Sequence, residues 1–188
     1  MARELKATEV RVPCRISYAH IFSPGVNKDG TPGKYSVACL ISKEDTTTIQ
    51  KIKAAIKAAV QEGKSKLANK QGALPKMENL KLPLRDADAE DIDDEAYQGH
   101  MFFNASSTRK PQIVDRRKEA ITDSEEVYSG CYCNVSINFY AFNRDGNKGI
   151  AAGLNNIQKV KDGERLAGGS SADEDFDDLG DDDDDFLS

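Results

Sequence analysis

No run of apolar residues in this chain reaches the length of a membrane span, and Met1-Ala2-Arg3-Glu4-Leu5-Lys6 lacks the apolar core of a secretion signal. A cytoplasmic protein with no membrane partner is therefore expected. Histidine is scarce, His20 and His100 being the only two, which leaves general-base catalysis little to work with. The phosphate-cradling G-x-x-x-x-G-K-[ST] and the nucleophile elbow G-x-S-x-G are both absent. Zinc spacing is missing as well: Cys14 and Cys39 stand alone in apolar runs, and Cys131 with Cys133 forms C-x-C, with one residue between them where a zinc pair has two to four. Reduced core thiols are the expectation, with no metal and no other cofactor. There is no internal repeat.

What is present is an uneven distribution of charge. The net charge of the 188 residues is -6, but ten acids and no base lie between Ala172 and Ser188. The rest holds 26 bases against 22 acids, a net of +4, and seven of those acids fall in the single run Asp86 to Glu95. Five adjacent carboxylates, Asp181, Asp182, Asp183, Asp184 and Asp185, are closed by Phe186. Like charges so crowded repel one another and do not pack, so residues 167–188 read as a disordered acidic tail behind a domain of residues 1–166. A basic body joined to such a tail suits a polyanion ligand and a tethered competitor for it. Phe186 would be an aromatic anchor for a partner's pocket. The plain alternative is a tail that only keeps the protein soluble.

Val10, Val12, Cys14, Ile16, Tyr18, His20 and Phe22 alternate with Arg11, Pro13, Arg15, Ser17 and Ala19, the period of a half-buried strand. Ser23 to Gly33 is turn chemistry, and Lys34 to Ser42 returns as a second strand. Asp45 is a good N-cap for a helix carrying Ile49, Ile52, Ile56, Ala59 and Val60 on one side and ending between Gly63 and Asn69. Residues 71–95 hold two prolines, Pro75 and Pro83, and the acidic run and read as a long loop. Strand pattern resumes at His100 to Ser106, Gln112 to Val114, Val127 to Phe142 and Lys148 to Leu154, continuing toward Val160. A mainly β chain with one or two helices, of five or six strands, predicts an OB-fold-like Greek-key barrel.

The strand from Val127 to Phe142 has two unlike faces. Val127, Cys131, Cys133, Val135, Ile137 and Phe139 belong to a core. Tyr128, Tyr132, Asn134, Ser136, Asn138, Tyr140 and Phe142 make an aromatic, amide-rich and uncharged face. Rings stack on unpaired bases at roughly 1 to 3 kcal/mol per base, and Asn can bond to base edges or sugars. The alternative is that these tyrosines pack beneath the helix or the long loop. Arg109-Lys110 and Arg116-Arg117 flank the short strand Gln112 to Val114, while Lys34 and Lys148 sit at hairpin ends. Such cations would contact phosphates and provide affinity without sequence preference.

The body resembles the phage single-stranded DNA-binding proteins. The likeness rests on Pro83-Leu84-Arg85-Asp86-Ala87-Asp88, Gly99-His100, Phe103-Asn104-Ala105, Arg109-Lys110-Pro111, Val114-Asp115, Tyr128-Ser129-Gly130-Cys131-Tyr132, Ile137-Asn138-Phe139-Tyr140, Asn147-Lys148-Gly149-Ile150 and Gly153-Leu154-Asn155-Asn156-Ile157-Gln158. Ala87 stands where the family's glycine is expected. The resemblance implies an OB-fold, not an enzyme, that coats single strands during phage replication, recombination or repair in the host cytoplasm. It also implies a tail through which replication or recombination proteins are recruited. Here Leu187 and Ser188 follow the aromatic, a departure from tails that stop at it.

The expected ligand is single-stranded DNA, stacked on Tyr18, Tyr35, Phe102, Tyr128, Tyr132 and Tyr140 and held by Lys34, Arg109, Lys110, Arg116, Arg117, Asn134, Asn138 and Lys148. A homodimer with exchanged tails is compatible with this reading, and nothing in the sequence selects it. Two other classes compete. A metal-dependent nuclease could use Asp86, Asp88, Asp91 and Asp93, although that run lacks a partnering base. As a calcium loop it fails, with Asp91 at the glycine position and Tyr97 at the glutamate position. A replication adaptor would act through its tail alone.

Overall fold

Period-two burial along the first strand sets the architecture. In the computed structural model, which describes residues 2–166 and 177, β1 (Glu9–His20) buries Val10, Val12, Cys14 and Ile16 and turns Arg11 and Pro13 to solvent. The other elements are β2 (Tyr35–Ser42), α1 (Thr46–Glu62), α2 (Lys64–Leu67), β3 (Arg85–Asp86), β4 (His100–Ser107), β5 (Gln112–Val114), β6 (Tyr132–Arg144) and β7 (Asn147–Lys161). The reading of Asp181 to Asp185 and Phe186 as a solvated tail falls outside the described residues.

Hydrogen bonding runs β4-β2-β1-β6-β7, and β7 pairs back onto β4, so five strands close a barrel. Every pairing among them is antiparallel except β4 with β7, which is parallel at Ala105–Ala152 and Ser106–Gly153. In barrel order the strands run first, second, third, fifth and fourth, the Greek-key arrangement of the OB-fold. Beyond that seam the two strands diverge. β3 then takes the free edge of β4, and β5 takes that of β7.

Val37, Cys39 and Ile41 of β2, Phe103 and Ala105 of β4, Val135, Ile137 and Phe139 of β6 and Ile150, Leu154 and Ile157 of β7 fill the interior with the β1 residues. Phe103 and Phe139 meet edge to face at 5.9 Å. α1 packs its Ile52, Ile56, Ala59 and Val60 into the same core, and its first turn is capped by Asp45, whose carboxylate accepts from the Thr48 N–H at 3.2 Å. A Cβ at Gly63 would overlap that of Ala141, so the helix approaches β6 this closely only because Gly63 has no side chain. All four cysteines are buried, and burial holds the Cys133 thiol well above its usual range. Among the described residues no helix is long and apolar enough to cross a membrane.

Two sequence expectations need correction. The strand expected from Val127 begins at Tyr132; Val127 to Cys131 form a turn in which Gly130 adopts φ 118 and gives its N–H to the Ile16 carbonyl. The hydrophobic alternation of Val127, Ser129 and Cys131 persists because the turn is packed, with Val127 and Cys131 buried. Residues 71–95 are also more ordered than a loop. They hold a 3-10 turn at Met77–Asn79 and strand β3, and Lys81 bonds to the backbone of Lys148 and Ile150.

Candidate nucleic-acid interface

The outward residues of β6 form a row across the barrel wall. Tyr132 lies opposite Arg15 on β1 and Lys161 on β7, Asn134 opposite Pro13 and Gln158, Ser136 opposite Arg11 and Asn156, and Asn138 opposite Glu9 and Gly153. Tyr140 ends the row beside Ala151, with its ring against Gly153. From Tyr132 to Tyr140 the strand advances roughly 26 Å at about 3.3 Å per residue. Tyr132 and Tyr140 are 37% and 40% exposed, while the amides between them are half-buried.

Four open clefts join into one surface along this row. The first, of about 300 Å³, is lined by Tyr140, Asn138, Lys6 and Lys66. It shares Lys6 and Asn138 with a cleft of about 390 Å³ that also holds Arg3, Arg109, Lys110 and Asn156. Asn156 leads to a third, of about 200 Å³, with Arg11, Lys118 and Asn134. Asn134 leads to a fourth, of about 360 Å³, with Arg15, Tyr132 and His100. Rings at either end, amides in the floor and cations along the rims are thus brought together.

The cations differ in how far they are committed. Arg3 pairs with Glu9 at 2.6 Å and lowers the Glu9 pKa from its usual range, chiefly through that hydrogen bond. Among the described residues neither Arg109 nor Lys110 has an acidic partner within 4 Å, so both stand available to an anion. The Arg15 guanidinium and the Lys161 ammonium lie 5.6 and 4.8 Å from the Tyr132 ring centroid. They make that end of the row both aromatic and positive. The amides keep unused valences: Asn134 donates to Gln158 Oε1 at 3.2 Å, and Asn138 accepts from the Thr8 hydroxyl at 3.1 Å. Asn134 Oδ1 and Asn138 Nδ2 have no hydrogen-bond partner among the described residues.

The expected residues do not all converge here. Tyr132, Tyr140, Asn134, Asn138, Arg109 and Lys110 lie in the joined clefts. Arg116 and Arg117 occupy an adjoining turn, which the Asp115 carboxylate holds by accepting from two N–H groups and Gln158 by donating to the carbonyls of Asp115 and Arg116. Tyr35 is half-buried opposite Ser107, and exposed Lys34 closes the loop between β1 and β2. Tyr18 is exposed at the far end of β1.

Phe102 is a correction: at 3% exposure, with the Arg85 guanidinium 4.8 Å from its centroid and the Tyr97 ring at its edge, it has no face for a base. Tyr128 is tied down, its hydroxyl donating to the Gly163 carbonyl at 2.9 Å and its ring lying under Arg165 and Lys159. Lys148 is half-buried and donates to the Ala68 carbonyl at 3.3 Å. Lys6, Arg11, Arg15 and Lys161 join the surface without any motif to mark them: the pairing of β1, β6 and β7 brings the last three to it, and Lys6 lines its clefts from the segment before β1.

The acidic run serves the fold. Lys43 bridges Asp86 and Asp88, each at 2.7 Å, and Asp88 also accepts from the Gly99 N–H. Lys43 holds both carboxyl groups below their usual pKa range, and they raise its own. Glu90 forms a forked pair with Arg85. These bonds lay the segment over Leu40 and Phe102, where Ala87 and Tyr97 complete a small second core. Among the described residues no three His, Cys, Asp or Glu groups converge as metal ligands, and Asp86 and Asp88, two of the four carboxylates of the nuclease reading, are engaged by Lys43.

Comparison with known proteins bears on this surface. The profile of the family described as Enterobacter phage Enc34, ssDNA-binding protein, matches residues 8–187. Protein p50 of Acyrthosiphon pisum secondary endosymbiont phage 1 is 34% identical over 173 residues, 88% of this chain and 90% of that one. The solved single-stranded DNA-binding protein from bacteriophage Enc34, in complex with ssDNA, superposes with a TM-score of 0.69 at 26% identity, over 88% of this chain and 97% of its own. The gp2.5 single-stranded DNA-binding protein of bacteriophage T7 gives a TM-score of 0.56 at 17% identity, over 87% and 97%, a likeness of fold alone.

Proposed function

The chain belongs to the family of the Enterobacter phage Enc34 ssDNA-binding protein, and on that premise we propose that it coats single-stranded DNA, without strong sequence preference, during phage DNA replication, recombination or repair. It is a binding protein and not an enzyme. The observation that carries the reading is the continuous surface between Tyr140 and Tyr132, where two exposed rings, open amide valences and Arg109 and Lys110, without an acidic partner among the described residues, share one barrel wall. A single strand lying there would stack bases on the rings and set its phosphates against the rims, and its length suits the 4 to 16 nucleotides, roughly, that an OB-fold covers. Arg116, Arg117, Lys34, Tyr35 and Lys148 would act from the periphery of that path.

The tail belongs to the same reading. The family match runs to residue 187 and so includes Asp181 to Asp185 and Phe186. The carboxylates would compete with DNA for the basic rims, within one chain or between two copies of a homodimer, and Phe186 would anchor replication or recombination proteins. The test is a titration of the full chain with single-stranded and duplex oligonucleotides of equal length at two salt concentrations. The expected result is preferential binding of the single strand, weakening steeply with salt. Equal affinity for both forms, or none for either, would overturn the proposal.

A further inference from the structure

One aromatic side chain is held outside the core by a strained backbone. Tyr18 has φ 45, and the other non-glycine residues at positive φ, Asp91, Lys118 and Asp145, lie in turns or loops, whereas Tyr18 lies within β1. Bulky residues rarely adopt this conformation, and where they do the surrounding structure must enforce it. The enforcement is a β-bulge: Ser17 pairs with Ala38 but His20 pairs with Ser36, so β1 carries one residue more than β2 over this stretch. The freed Ala19 N–H is taken up by the Ser129 hydroxyl at 3.1 Å. Without the bulge, Tyr18 would continue the inward row of Val12, Cys14 and Ile16. With it, the ring is 65% exposed.

Neither packing nor turn formation accounts for this arrangement. The ring meets Tyr97 at 6.4 Å, tilted by 58°, which supports one side and leaves the rest open. Beside it the sheet surface is low. Ala38 lies opposite Ser17 and Asn104 opposite Ala38, and the exposed Asn104 side chain has no hydrogen-bond partner among the described residues. The exposed ring and the free amide are groups that receive an unpaired base, and the buried Ser17 and Ala38 keep the sheet between them low. This corner lies on the β2–β4 side of β1, away from the Tyr132–Tyr140 row.

We propose that Tyr18 is a second platform for an unpaired nucleobase, held out by the bulge and edged by Asn104, so that a bound strand reaches around β1 from the β6 wall. The proposal rests on the single-strand-binding function argued above. Its test uses the full chain with Tyr18→Gly and Tyr18→Asn, both of which accept the left-handed conformation, and Tyr18→Phe, which keeps the ring. Thermal unfolding and titration with a single-stranded oligonucleotide are measured for each.

Tyr18→Gly and Tyr18→Asn should raise the unfolding midpoint by about 2–6 °C, because strain is relieved. They should also bind the strand roughly 5- to 100-fold more weakly. Tyr18→Phe should match the wild type in both. A lower midpoint in both strain-relieving variants would make the ring a structural support, and unchanged affinity would remove it from the DNA path. Either result overturns the proposal while wild-type binding stands. A wild type that binds no oligonucleotide would instead overturn the function itself.

Discussion

At the scale of single residues, the proposed function depends on which rings are free. Tyr132 and Tyr140 are, Phe102 is buried, and Tyr128 is bound through its hydroxyl and covered on its face. Replacing Tyr132 and Tyr140 together by Ala should weaken single-strand binding by roughly 2–6 kcal/mol if both stack. The unfolding midpoint should change little, since neither ring is part of the core. Titration and thermal unfolding of the double variant check this, and wild-type affinity would exclude these rings from the path. The exposed rings of β6 were legible as such from the alternation Tyr132, Asn134, Ser136, Asn138, Tyr140. Phe102 was not distinguishable from them, because its phase along β4 does point it outward. What buries it is a segment of chain laid over that outer face.

At the scale of elements, that segment is the acidic run, and its hold on the barrel is electrostatic. Asp86 and Asp88 have pKa values lowered chiefly by the Lys43 hydrogen bonds. A depressed folded pKa stabilises above the usual carboxylate value of about 3.9 and loses its effect as pH falls through the folded value. Hydrogen exchange at the Gly99 amide, which donates to Asp88, should therefore stay slow to below about pH 4 and then accelerate. In Lys43→Met the acceleration should begin at higher pH, and an unmoved onset would show that Lys43 does not hold the segment.

Strand positions and the α1 cap were readable from period and from Asp45, but pairing was not. Arg11 and Arg15 are ordinary outward residues of β1 until the register sets them beside Ser136 and Tyr132. The turn at Val127 to Cys131 escaped for a related reason, since its buried residues happen to keep the rhythm of the strand that follows.

At the scale of the whole molecule, charge is divided between a basic body and an acidic end. Removing residues 172–188 takes away ten acids and changes the formal net charge from -6 to +4. The truncated protein should bind single strands more tightly at low salt, with the difference shrinking at physiological salt, because a tethered anion no longer competes and screening hides its loss. Titration of both forms at two ionic strengths checks this, and identical affinities would mean that the tail does not visit the DNA path. A barrel was legible in the number and spacing of the strands, but the parallel pairing that closes it was not, because it joins strands far apart in sequence. That pairing is confined to Ala105 with Ala152 and Ser106 with Gly153, whereas β6 and β7 are zipped along their full length. Under load the cylinder has one short clasp. It should spring there first and flatten into a curved ribbon, with every long hairpin still intact.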